Sequence, residues 1–188
     1  GTAVVLGVFA AVRRYSIYDQ ALTFTTYIMY SLPTFWLGLM LIFLFGPALH
    51  LLPTGGVVNA RDWPAFASPQ FWAAAGERPF DAIYDIGRHL ILPVITLVAV
   101  NIAADSRFVR ASMLETLSSD FVRTARAKGL SARRVIGRHA FRNAMLPVTT
   151  NVALEIPFLV SGAVVVETIF SWPGIGRLFM LDIGIRTD

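Results

Sequence analysis

Between Ala21 and Gly46 the chain carries no Asp, Glu, Lys, Arg or His. As a helix rising about 1.5 Å per residue, this run reaches about 39 Å, enough to cross a hydrocarbon core of about 30 Å with some tilt. In lipid every backbone polar group must be satisfied internally, so a helix is the only open-ended structure the run can adopt there. Pro33 sits inside it and predicts a kink. Tyr27 and Tyr30 read as interfacial anchors or packing groups, and Trp36, deeper in the run, reads as a packing residue.

Composition extends this to the whole chain. Of 188 residues 55% are hydrophobic and 15% charged, and the mean hydropathy is +0.62, too apolar for an ordinary soluble domain of this size. Two more crossings are expected. One runs from His89 to Ala104 and continues as helix through Arg110 and Met113; the other runs from Ala144 to Val166. Gly1–Val12 is too short to span by itself, and Arg13 and Arg14 stop it, so it reads as the tail of a span. The residues from Pro47 to Arg88 hold three basic and four acidic side chains, against nine and three from Asp105 to Arg142. Basic residues collect on the cytoplasmic side, so 47–88 is predicted outside and 115–147 inside. Pro53-Thr54-Gly55-Gly56 marks a turn in the outer segment. Trp63, Phe66, Phe71 and Trp72 belong there to a structured loop or interfacial helix, with a peptide-binding aromatic surface as the functional alternative. Past Glu167 the chain is expected to reach the outer interface and to break at Pro173-Gly174-Ile175-Gly176.

Two acids lie in or beside the crossings. A carboxylate at mid-membrane costs roughly 2.5–3.5 kcal/mol on insertion scales, so Glu155 must face the bundle interior, find a partner or be protonated. It reads either as a path-lining group or as a structural hydrogen bond to a neighbouring helix. Asp105 is placed to pair with Arg107 or Arg110, or to face an aqueous cavity.

The segment Ser118–Pro147, SSDFVRTARAKGLSARRVIGRHAFRNAMLP, contains seven of the sixteen Lys and Arg residues. Two helices are legible in it. Ser118 or Ser119 caps the first, with Asp120 in its first turn, and Gly129 suits the position past its end. Ser131 caps a second helix, which Pro147 is expected to disrupt. Arg134, Arg138 and Arg142 recur every four residues and form one stripe, with Ile136 and Ala140 roughly opposite. Such a hairpin is either a docking platform or a topological signal made of arginines.

This stretch resembles the cytoplasmic coupling loop of importer permeases of the ATP-binding cassette superfamily. Their Glu-Ala-Ala is replaced by Arg123-Thr124-Ala125, so only the final alanine survives, and the interval from Gly129 to Leu146-Pro147 is longer than in sugar-type members. The wording RTARAKGLS…RNAMLPV is similar to the dipeptide, oligopeptide and nickel branch. So are SLPTFWLGLML from Ser31, LLPTGG from Leu51, RASMLETLSSDF from Arg110 and ETIFSWPGIGRL from Glu167. The resemblance implies an all-α polytopic transmembrane bundle of the type I importer class, one permease domain over 1–188 lacking its first and last spans. It implies a multi-pass protein of a bacterial or archaeal plasma (inner) membrane. The implied partners are a second permease, two ATPase subunits that use ATP and Mg, an extracytoplasmic solute-binding protein, and the bilayer. Coupling contacts are expected at Ala125, Lys128, Gly129, Leu130, Arg134 and Arg138, and the substrate path at Glu155, Asn151 and Ser161.

Other chemistry is not encoded. There is no cysteine, hence no disulfide or thiolate metal site, and no cofactor is expected on this chain. No Gly-x-x-x-x-Gly-Lys-Ser/Thr phosphate loop and no His-Glu-x-x-His pattern occurs, so ATP hydrolysis is expected on a separate chain. A pI near 10 suits nucleic acid, and a basic helix–turn–helix is the form such binding would take. The flanking apolar segments argue against it. A structural membrane anchor without a transport path is the remaining rival.

Overall fold

The computed structural model describes residues 1–176, and within them the side chains of all but 158–162. All regular structure among the described residues is helical. The helices are α1 Thr2–Val12, α2 Ile17–Ser31, α3 Thr34–Phe43, α4 Pro69–Glu77, α5 Pro79–Ser118, α6 Asp120–Ala127, α7 Ala132–Arg134 and α8 Phe141–Ile169. π-helical turns follow α3 (Leu44–Ala48) and α7 (Val135–Ala140). Among these residues α5 is by itself long and apolar enough to cross a membrane, and α2 with α3 and its π turn reaches that standard as a broken pair. The third expected crossing, Ala144–Val166, lies inside α8.

Three expectations about helix ends are corrected. Pro33 does not kink a continuous helix but ends one and caps the next. It is extended (φ −58°, ψ 134°), and its carbonyl accepts from Leu37 N at 3.1 Å. Proline also drives the residue before it out of the α region, so the break falls at Leu32–Pro33. The crossing expected from His89 begins at Pro79, because proline is favoured at the first helical position, and Asp81 follows in the first turn. Pro147, expected to disrupt its helix, lies inside α8. The ring costs the intrahelical bond to the carbonyl of Asn143 and crowds the preceding turn, and in that same turn Ser112 Oγ on α5 donates to the carbonyl of Ala144 at 2.8 Å, tying α8 to α5.

The chain forms two compact units, residues 1–31 with 99–157 and residues 32–98 with the chain from 158 onward. In the first, α1 presents Ala3, Gly7, Ala10 and Ala11 to its neighbours. Small residues let backbones approach closely where lipid gives no hydrophobic drive. At Gly7 the approach is extreme: a Cβ there would lie 2.6 Å from the carbonyl oxygen of Ser106. The turn from α1 to α2 puts Tyr15 at φ +65°. Asp19 holds that turn by accepting from Tyr15 N (3.0 Å), and Ser16 Oγ accepts from Asp19 N (3.2 Å). One hydrophobic core joins Ala11 of α1, Val109 and Met113 of α5, Val122 and Ala125 of α6, Val135 and Ala140 of the π turn, and Ala144 and Val148 of α8.

The second unit has two smaller cores. Trp63 and Phe71 pack with Ala82, and Leu92 packs with Val166 and Phe170. Ser68 caps α4, its Oγ accepting from Phe71 N, with Pro69 at the first helical position. Trp63 and Phe71 are therefore interior residues rather than a binding surface, while Phe66 and Trp72 stay exposed beside them. Trp36, expected to pack, leaves 43% of its surface open, because α3 buries Leu37 and Gly38 instead. The loop at 53–56 is tied down by Gly56 N (φ +81°), which donates to the carbonyl of Phe170 at 2.8 Å. α8 ends at Ile169 and Ser171 takes φ +51°, so the break comes ahead of Pro173. The part of the expected outer segment beyond 176 lies outside the described residues.

Candidate functional site

The basic hairpin is built on α6. Val122 and Ala125, three residues apart, face the core and fix how α6 lies, while Arg123, Thr124 and Arg126 stay exposed. The helix ends in a Schellman motif. Gly129 N donates to Arg126 O (2.9 Å), Leu130 N donates to Ala125 O (3.4 Å), and Gly129 has φ +78°. Leu130 then packs against the core. Ser119 and Ser131 occupy the expected cap positions, but neither side chain makes the capping bond, and Ser119 Oγ donates back to Thr116 O.

Of the six residues expected to contact a partner, Lys128, Gly129, Arg134 and Arg138 are exposed. A Cβ added at Gly129 meets nothing within 4 Å. Ala125 is corrected: it is only 7% exposed, because the helical period that exposes Arg126 turns Ala125 inward. Leu130 is half-buried and serves as the hydrophobic anchor of the turn. Arg134, Arg138 and Arg142 are all exposed, opposite the buried Val135, Ala140 and Ala144, and no ion pair among the described residues engages them. The hairpin thus offers a small, open backbone turn beside free cations.

The same unit contains a cavity of about 470 Å³ between α2, α5 and α8, lined by Tyr27, Tyr30, Arg107, Asn151 and Glu155 among others. Asn151 Nδ2 donates to Glu155 Oε1 at 2.7 Å, the (i, i+4) pairing that one helix face permits. Asp105 of α5 lies close enough to Glu155 for the two acids to interact. No ion pair among the described residues joins Asp105 to Arg107 or Arg110, the first of the two alternatives expected for it. Arg110 is taken by Asp19: Nε donates to Oδ1 at 2.6 Å and Nη2 to Oδ2 at 2.9 Å. Arg107 lies over the rings of Tyr27 (4.0 Å) and Tyr30 (5.0 Å). Ser161, the third path residue expected, is among the side chains outside the description. Among the described residues no group of three or more His, Asp or Glu could hold a metal ion.

The sequence pattern of one family, described as the inner membrane component of binding-protein-dependent transport systems, matches residues 3–186. The chain belongs to this family. It is 41% identical over 178 residues to the oligopeptide transport system permease protein AppB of Bacillus subtilis, which covers 95% of this chain and 51% of that protein. It is 42% identical over 192 residues to the dipeptide transport system permease protein DppB of Escherichia coli K12, covering 97% and 55%. Similarity to the di/tripeptide permease DppB of Pseudomonas aeruginosa is also 42%, over 186 residues. The chain spans about half the length of the curated relatives it matches. Membership establishes an all-α membrane permease and thereby the fold class expected from the uncharged run and the hairpin wording.

Sequence reasoning named Glu155 and Asn151 together as path residues, and both line this cavity, but it missed Tyr27, Tyr30, Arg107 and Asp19 as partners across helices. The available signal was Asp105, Arg107 and Arg110 within one apolar helix. Three charges there demand partners, but which neighbouring helix supplies them is a tertiary fact.

Proposed function

We propose that this chain is the membrane-spanning permease subunit of an ATP-driven importer for peptides or similar small solutes. It would act with a second permease, two ATPase subunits and an extracytoplasmic binding protein. One observation carries the coupling part: the hairpin and the cavity-lining helices α5 and α8 share a single hydrophobic core. A close-packed core transmits displacement rather than absorbing it. A partner that grips the Gly129 turn would therefore move Val122 and Ala125, and with them the α5 and α8 segments that carry Arg107 and Glu155. ATP-driven closure of the ATPase pair would then alternate access to the cavity. Peptides are favoured as cargo because the similar proteins are dipeptide, di/tripeptide and oligopeptide permeases.

The DNA-binding alternative fits less well. A recognition helix must lie free in a groove, whereas the second hairpin helix runs through the π turn directly into α8, with Val135 and Ala140 fully buried. A passive anchor does not account for charged groups set around a cavity in the crossing helices. The full protein, reconstituted in proteoliposomes with its partner subunits and binding protein, is expected to accumulate a labelled dipeptide only when ATP is supplied. ATP-independent or absent accumulation overturns the importer reading.

The sidedness of the segments has a separate test. A single cysteine at Ser131 and another at Ala65, exposed residues whose side chains hold no element in place, should respond differently to an impermeant thiol reagent on spheroplasts. Only position 65 is expected to be labelled, since 115–147 should face the cytoplasm. Labelling at 131 alone would reverse the orientation. The absence of native cysteine leaves no background from this chain.

A further inference from the structure

Two opposite charges face one cavity without meeting. Glu155, backed by Asp105 and bonded to Asn151, supplies one pole. Arg107 supplies the other, and among the described residues its guanidinium has no carboxylate or hydrogen-bond partner, only the faces of Tyr27 and Tyr30. Stacking over a ring uses the face of a guanidinium and leaves its in-plane N–H donors for a planar acceptor. Arg110, the other cation at the cavity, is unavailable, since both of its bonds go to a nearly fully buried Asp19. Charges held apart in a crossing helix are costly unless something pairs them. The cavity's volume, about 470 Å³, lies within the range of small-molecule sites, roughly 300–1,000 Å³.

A ligand that satisfies both poles at once carries an ammonium at one end and a carboxylate at the other. The acidic pole at Glu155 matches one ammonium, and the Asn151 amide adds a polar group beside it. The free edge of Arg107 matches one carboxylate in bidentate fashion. We propose that this cavity is a two-pole site for the termini of a short zwitterionic peptide, with Glu155 and Asp105 receiving the amino end and Arg107 the carboxyl end. This rests on the peptide-importer reading and adds to it the residues that recognise the cargo's ends within the permease itself.

The test measures binding to the assembled transporter in nanodiscs, without binding protein or ATP, by saturation-transfer NMR. Three probes are used: Ala-Phe, its N-acetyl derivative and its C-terminal amide. The wild type should bind Ala-Phe at least about tenfold more tightly than either blocked form, as a hydrogen-bonded charge contributes on that scale. Arg107→Gln should weaken Ala-Phe and N-acetyl-Ala-Phe about tenfold and leave the amide unchanged. Asp105→Asn with Glu155→Gln should weaken Ala-Phe and the amide and leave the N-acetyl form unchanged. Arg107→Lys keeps the charge and should recover most of the loss. Gel filtration of each complex checks assembly. If Arg107→Gln fails to assemble, the acid double variant still gives one arm of the crossed pattern, and the wild type's preference for Ala-Phe over its C-terminal amide tests the other. Equal weakening of all three probes, or no change in any, overturns the two-pole site. Uptake of Ala-Phe by the wild-type complex with its binding protein separates the two readings. Uptake with an uncrossed pattern overturns this site alone, and no uptake of any peptide overturns the peptide reading beneath it.

Discussion

Gly129→Trp is expected to abolish substrate-stimulated ATP turnover in the assembled transporter while the chain still inserts and folds. Among the described residues nothing beyond the chain neighbours lies within 4 Å of a Cβ at position 129, so the indole would project outward without clash against them. The positive φ (+78°) costs a non-glycine residue about 1–2 kcal/mol, which a helical bundle can bear. A partner seated on the turn cannot avoid the bulk, and the loss of a central interface contact costs more than about 2 kcal/mol. Gly129→Ala isolates the backbone strain and should lose much less coupling. Arg134→Glu should also do less, since an exposed charge pair is worth about 0–1 kcal/mol. Ala125→Asp should fail differently. Ala125 is buried among Val122, Val135 and their neighbours, so a carboxylate there is an unpaired interior charge, and the folded chain itself should be lost. The measurements are co-purification of the ATPase subunits, stimulation of ATP turnover by loaded binding protein, and the yield of monodisperse complex. If Gly129→Trp retains its ATPase subunits and full stimulation, the hairpin is a topological signal and nothing more.

Arg110→Ala is expected to lower the unfolding midpoint of the purified complex by on the order of 10 °C. Asp19 is 2% exposed, and Arg110 supplies both of its charge-assisted bonds. Removing one partner of such a pair leaves a buried charge alone, at a cost of about 3–5 kcal/mol. For a chain of this size each kcal/mol shifts the midpoint by about 2–4 °C. The damage should spread to the α1–α2 turn, because the same carboxylate holds Tyr15 N at a strained positive φ. Asp19→Ala should cost a similar amount. The double variant should cost clearly less than the two single losses added, since each single change strands a charge that the double change removes. Additive losses, or a midpoint within 2 °C of the wild type, would mean that the pair does not hold α2 to α5.

Much of the architecture was legible before any coordinates. The uncharged run from Ala21 and the Gly129 stop are local patterns, and local patterns act through composition and backbone freedom. Gly129 is the clearest case: a helix followed by glycine, an apolar residue and a serine encodes a Schellman ending, and both of its bonds are present. Proline effects were read less well. Pro33 broke its helix while Pro147 did not. The difference is tertiary: the turn before Pro147 is packed against α5, where Ser112, 32 residues away in sequence, donates to the carbonyl of Ala144.

The sequence by itself determined that this is a helical membrane permease: apolar length, charge distribution and hairpin wording suffice for that, and the family match agrees. Only the tertiary structure decided which charges meet. Asp105 had two arginines within five residues and forms an ion pair with neither, while Arg110 crosses to Asp19 and Arg107 is left to two tyrosine rings. It likewise decided that Ala125 belongs to the core and Gly129 to the surface. Side-chain pairing between helices depends on how their axes approach and rotate. Those are set by the summed packing of small residues such as Gly7 and Ala11, and no single local pattern carries them.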